Sequence, residues 1–95
     1  LRQANLTGAL LQQVQLREVD LSEACLAQCR HKGLVFRECT LMGTSFFGTL
    51  LNGLDFTSSR MEGIVVSDTG KELRGAIVNV SQAADLARVL GLVIR

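Results

Sequence analysis

The sequence predicts an all-β solenoid whose open end is closed by a short α-helix and strand. Three observations carry this expectation. A large apolar residue returns at every fifth position over two-thirds of the chain, small residues recur two places before each, and both patterns end near Val66. Neither regular period accommodates that spacing. On a helix a step of five turns through about 500°, which scatters the series around the whole circumference. On a continuous strand it sends alternate members to opposite faces. A chain that turns a corner once in five residues keeps both series inside.

The large series runs Leu1, Leu6, Leu11, Leu16, Leu21, Leu26, His31, Phe36, Leu41, Phe46, Leu51, Phe56, Met61 and Val66. Of these fourteen positions only His31 lacks a large apolar side chain. The small series runs Ala4, Ala9, Val14, Val19, Ala24, Cys29, Leu34, Cys39, Thr44, Thr49, Leu54, Ser59 and Ile64, and every member can be buried. Residues 1–66 are therefore expected to form the solenoid and 67–95 its cap. Ninety-five residues suit one domain, and 47% apolar with 20% charged residues is a folded balance. The absence of Pro fits a ladder of backbone hydrogen bonds, which has no place for it.

The units Ala4-Asn5-Leu6-Thr7-Gly8, Val19-Asp20-Leu21-Ser22-Glu23 and Leu54-Asp55-Phe56-Thr57-Ser58 resemble the pentapeptide-repeat family, whose consensus is Ala-(Asp/Asn)-Leu-x-x. The resemblance spans residues 1–66 in unbroken phase. It implies a right-handed, quadrilateral parallel β-helix with one pentapeptide per side, twenty residues per coil and about three coils. Residues twenty apart then stack about 4.8 Å apart, giving a rod on the order of 15 Å long. The interior columns become Leu1/Leu21/Leu41/Met61, Leu6/Leu26/Phe46/Val66, Leu11/His31/Leu51 and Leu16/Phe36/Phe56. Thr44, Thr49 and Leu54 replace the usual Ala, which is expected to change local width and twist but not the architecture.

Past Val66, Ser67–Lys71 reads as a turn and Leu73–Val80 as a short extended stretch. Ser81 is the expected N-cap of a helix over about 82–90, with Ala83, Leu86, Ala87 and Leu90 as its apolar stripe. Gly91 supplies a stop, and Leu92-Val93-Ile94 reads as a terminal strand. A solenoid's open end exposes core and unpaired backbone, so a cap is needed. The stretches Leu73–Val78, Gln82–Ala84 and Leu90–Leu92 are similar to the carboxyl-terminal ends of the Qnr-type quinolone-resistance subfamily. That resemblance implies a two-fold homodimer built by this segment, with Leu86, Val89, Leu90, Leu92 and Ile94 as candidate cap or dimer residues. Leu1 enters in register without an initiator Met, which suggests either a piece of a longer protein or an engineered or processed start.

Catalytic chemistry is not legible. His31 is the sole histidine and sits at an interior position. Cys25, Cys29 and Cys39 lack zinc or redox spacing, and no phosphate loop or Ser/His/Asp set occurs. No catalytic, metal or cofactor residues are assigned, and the expectation is a non-enzyme with reduced cysteines in the cytoplasm. No apolar run reaches the roughly 20 residues of a membrane helix, and the residues from Leu1 are not expected to read as a charged-then-apolar signal leader.

The outer positions point to a protein partner. The side centred on Leu6, Leu26, Phe46 and Val66 displays Asn5, Thr7, Cys25, Ala27, Ser45, Phe47, Val65 and Ser67, none of them charged. Met42, Phe47, Leu50 and Val65 form the candidate partner face. Arg17/Arg37 and Glu18/Glu38 stack along another side as a solvated face, and Arg30 with Lys32 gives a basic spot too slight for nucleic acid. The family resemblance implies a rigid binding surface, and its Qnr-type branch implies DNA gyrase or topoisomerase IV as partner through DNA mimicry. Charge bears on this. B-DNA carries one negative charge per ~1.7 Å, so a rod of this length would need about nine net negatives. Residues 1–66 carry six basic and six acidic side chains, a net of zero. Shape mimicry remains for this stretch, and charge mimicry does not. A generic adaptor, or a structural module within a longer chain, is the alternative expectation.

Overall fold

A computed structural model describes residues 1–92. Its strands are short: β1 (Leu10–Gln12), β2 (Gln15–Arg17), β3 (Arg30–Lys32) and β4 (Val35–Arg37). β1 pairs in parallel with β3, placing Leu11 against His31, and β2 pairs with β4, placing Leu16 against Phe36. Single parallel bridges extend the same register through Asn5, Cys25, Ser45 and Val65, and through Asp20, Thr40 and Arg60. Every one of these pairs is twenty residues apart, so the chain coils back on itself in a β-helix-like fold. The described residues extend over 39 × 24 × 23 Å.

Corners are made by local chemistry. In the turn from Leu1 to Ala4 the Ala4 amide donates to the Leu1 carbonyl at 3.0 Å, and Gln3 takes φ 60°. The same left-handed conformation recurs every five residues at Gly8, Gln13, Glu18, Glu23, Gln28, Gly33, Glu38, Gly43, Gly48, Gly53 and Gly63. A corner of this kind needs φ > 0 at its third residue, which glycine adopts freely. Gly48 illustrates a second constraint: a Cβ there would lie 2.5 Å from Nε2 of Gln28 in the coil below. The consensus Asp/Asn also serves the corner. Asp55 accepts from the Thr57 amide at 2.8 Å, and Asp20 from the Ser22 amide at 2.9 Å.

Inside, Leu21, Leu26, Phe36, Leu41, Phe46, Leu51, Phe56 and Met61 are buried, joined by Ala24, Leu34, Leu54 and Ile64 of the small series. Leu6, Leu11, Leu16 and Val66 are only half-buried but pack on that core. The polar members of the small series have partners. The Thr44 hydroxyl donates to the Leu21 carbonyl at 2.7 Å, and Thr49 donates likewise to Leu26. Cys29 and Cys39 direct their thiols to the carbonyls of Leu6 and Leu16, each at 3.1 Å. Each donor meets the carbonyl 23 residues earlier, so Thr and Cys fill one structural role.

The ladder is interrupted once in the middle of the stack. Among the described residues no backbone hydrogen bond joins 29–38 to 49–58, and the β1–β3 and β2–β4 sheets remain two-stranded. His31 occupies its inward position, and its Nε2 donates to the Leu50 carbonyl at 2.5 Å. Elsewhere that acceptor role belongs to the ladder, as in the bond of the same spacing from the Leu26 amide to the Ser45 carbonyl at 2.8 Å. The Phe36 and Phe56 rings lie with centroids 5.6 Å apart, wider than the ~4.8 Å strand spacing. Side chains bridge the break instead: Thr49 Oγ1 accepts from the Cys29 amide at 3.0 Å and Ser58 Oγ from the Glu38 amide at 3.1 Å.

The segment after Val66 departs from the sequence expectation. In place of an extended Leu73–Val80, a 3-10 turn spans Lys71–Leu73, and the segment meets the coil through one bridge, Ile77 with Asp55, and through the amides of Leu51 and Gly53, which donate to the carbonyls of Glu72 and Gly75, each at 2.9 Å. The reason is Glu72, which is fully buried and accepts from the Gly48 amide, the Ser67 amide and the Ser67 hydroxyl, each at 2.8 Å. An extended backbone would not bring that carboxylate back to Ser67.

The helix, α1, covers Val80–Val89. Its N-cap is Asn79 and not Ser81, because Asn79 and Gln82 form a reciprocal capping box. The inward face shifts accordingly to Gln82, Leu86 and the half-buried Val89, whereas Ala83 and Leu90 of the expected stripe are exposed. Gln82 Nε2 donates to the carbonyls of Phe56 and Ser59, which anchors the helix on the last full coil. Gly91, at φ 82°, ends it, with the Leu92 amide bonded to Ala87 and the Gly91 amide to Arg88. Val93 and Ile94 of the expected terminal strand lie outside the described residues.

Candidate functional site

Outward positions on the coil carry the side chains this fold exposes. On the uncharged side, Phe47 is 48% exposed and Val65, bridged over Ser45, is 47% exposed. Both belong to one side, in neighbouring outward columns and adjacent coils. Met42 is exposed at the preceding corner. Leu50 is 59% exposed but lies past the next corner, on the adjoining side. The fold thus brings Phe47 and Val65 onto one side, with Met42 at its edge, and turns Leu50 away.

The polar half of that side is internally bonded. The Thr7 amide donates to Asn5 Oδ1, and the Thr7 hydroxyl lies within hydrogen-bond reach of both Asn5 Oδ1 and Cys25 Sγ, at 2.6 and 3.0 Å. That hydroxyl, helped by the Ala27 amide, holds the Cys25 thiol below its ordinary pKa. Cys25 is half-buried, while Cys29 and Cys39 are buried and all three are free thiols.

At the capped end, burial alone would raise the Glu72 carboxyl; the Gly48 and Ser67 donors outweigh it and hold it below the usual range. Leu86 is buried against the coil, so its place is in the cap. Leu90 and Leu92 are exposed, and so are Ile77 and Val80, the last at 87%. Ile77 faces outward because it is bridged to Asp55, itself an outward residue, and Val80 because the helix begins there. Ile94 lies outside the described residues.

Among the described residues no group of three or more His, Cys, Asp or Glu is placed to hold a metal ion, and no helix is long and apolar enough to cross a membrane. His31 donates to a main-chain carbonyl within the stack. The sequence reasoning missed Glu72 and Gln82, whose roles depend on which coil carbonyls and amides the cap meets.

The described residues thus form a parallel coil with a packed interior and one uncharged outer side that exposes Phe47 and Val65. Residues 1–30, about a third of the chain, match the family model for pentapeptide repeats (8 copies). Pentapeptide-repeat proteins are generally non-catalytic protein-interaction modules, and their repeats imply a β-helix-like fold. No curated protein matches the chain.

Proposed function

We propose that this chain is a non-catalytic scaffold that holds a protein partner against the side centred on Phe47. The observation that carries this reading is a side without charges that exposes Phe47 and Val65 over a packed coil. Aromatic anchors surrounded by uncharged residues are the usual centre of a protein contact. The coil is read as right-handed and four-sided, supported by pairing lines through residues 5, 10, 15 and 20 and by the handedness of parallel crossovers.

The partner we assign is a type II topoisomerase, DNA gyrase or topoisomerase IV, with protection against fluoroquinolones. Its support is the likeness of the cap segment to the Qnr-type ends. Because residues 1–66 are neutral, recognition would rest on shape and on the Phe47 side, without charge mimicry. The same likeness supports a homodimer through the cap, where Leu90, Leu92, Ile77 and Val80 offer apolar surface to a second copy. The neutral charge equally favours a second reading, an adaptor for an unrelated protein.

A gyrase supercoiling assay with a fluoroquinolone, titrated with this chain, separates the two. Rescue or inhibition at micromolar concentrations supports the topoisomerase reading. No effect from folded protein removes it and leaves the adaptor.

A further inference from the structure

A cationic groove lies on the side adjoining the Phe47 face, where the cap meets the break in the ladder. Two recesses, of about 630 Å³ and 280 Å³, share Leu50 and Asn52 and so form one groove. The larger is flanked by Lys71 and Arg74 of the cap turn, and the smaller by Arg30 and His31 of β3. No carboxylate lines either recess. Glu72, the acidic residue of the cap turn, is committed to Gly48 and Ser67. The three ion pairs among the described residues use Arg2, Arg60 and Arg88, so Arg30, Lys71 and Arg74 keep their charge for something else.

Three cations along two adjoining recesses, with no carboxylate in either lining, make a place for an anion. The volume is that of a small-molecule site. Arg30 and the cap pair lie one coil either side of Leu50, a separation of about 10 Å by strand spacing, which suits a chain of anionic groups better than a single one. Guanidinium forks match phosphate oxygens, and Lys71 adds a point charge. Asn52, which lines both recesses, adds a neutral amide at the junction.

We propose that this groove binds a small oligophosphate, the chemistry shared by nucleoside triphosphates and inorganic polyphosphate. The site is independent of the Phe47 side and stands whether or not a protein binds there.

Isothermal titration of the full chain with sodium tripolyphosphate, and separately with ATP, at physiological salt tests it. Saturable binding at a single site is expected, with Arg30→Ala and Arg74→Ala each weakening it about tenfold. Arg17→Ala, on another side, is the control and should leave affinity unchanged. All three side chains are exposed, and unaltered thermal melts will show that the variants remain folded. Tighter binding of ATP than of tripolyphosphate supports a nucleotide as the natural source; equal binding supports a free polyphosphate. The proposal is overturned by no saturable heat at millimolar ligand, by equal loss in Arg17→Ala, or by preference for duplex DNA or anionic vesicles over tripolyphosphate.

Discussion

The imidazole of His31 donates to the main-chain carbonyl of Leu50, the acceptor that a continuous ladder would offer to the His31 amide. A side chain has taken the place of a backbone bond. The consequence spreads along two sides of the coil, where 29–38 and 49–58 are joined only through side chains and packing.

Replacing His31 with Leu should therefore stabilise the protein. The interior column would then carry leucine in place of His31 between Leu11 and Leu51, and the freed carbonyl would be available to the backbone amide. A gain of about 1 kcal/mol is expected, raising Tm by several degrees. A lower Tm in thermal denaturation would show that the histidine contributes more than the ladder bond it displaces.

Glu72 ties the cap to the last full coil. Glu72→Gln keeps the shape but loses the charge that three donors address, at a cost of about 2 kcal/mol. The pH dependence has a definite sign. A carboxyl whose folded pKa is depressed below its ordinary 4.5 stabilises fully above that value, and the contribution is lost as pH falls through the folded pKa. Acid unfolding followed by circular dichroism should begin below about pH 4.5 and be shallower in Glu72→Gln, where this group no longer titrates. Identical acid transitions would contradict the role assigned to the carboxylate.

Cys25 should react with a thiol reagent well before Cys29 and Cys39. It is less buried, and the Thr7 hydroxyl with the Ala27 amide favours its thiolate. Thr7→Val should slow that reaction at neutral pH by returning the thiol towards its ordinary value. Mass spectrometry after a short alkylation pulse reads both effects, and equal labelling of all three cysteines would refute the placement.

Removing residues 82–95 should give monomers or aggregates. The truncation exposes the carbonyls of Phe56 and Ser59 that Gln82 satisfies, and the apolar surface that Leu86 covers. Leu86→Asp should act in the same direction, costing on the order of 3 kcal/mol. Light scattering on a sizing column decides; a soluble truncated dimer would overturn the part given to this segment.

The interior was legible because burial repeats with the chain's own period: positions from Leu6 to Met61 need no partner beyond the next coil. A third series was equally visible and carries the corners. Every fifth residue from Gln3 to Gly63 is Gly, Gln, Glu or, once, Ser58, and almost all adopt the left-handed conformation. The cap was less legible because its choices are set by contacts distant in sequence. Asn79 outcompetes Ser81 as N-cap since Gln82 can answer it, and Gln82 is held by carbonyls more than twenty residues earlier. The groove was hidden for the same reason: the recess beside Arg30 meets the one flanked by Lys71 and Arg74, at Leu50 and Asn52, only when the cap folds over the last coil. Phe47 and Leu50, close in sequence, are separated by a corner.

The most direct test of the scaffold reading is capture of purified gyrase by immobilised chain, comparing the unaltered protein with Phe47→Ala and with Arg17→Ala. Phe47 is exposed, so its loss should leave the melt unchanged while weakening capture by about tenfold or more, with Arg17→Ala close to the unaltered chain. Capture undiminished by Phe47→Ala would contradict the assignment of this side as the binding face.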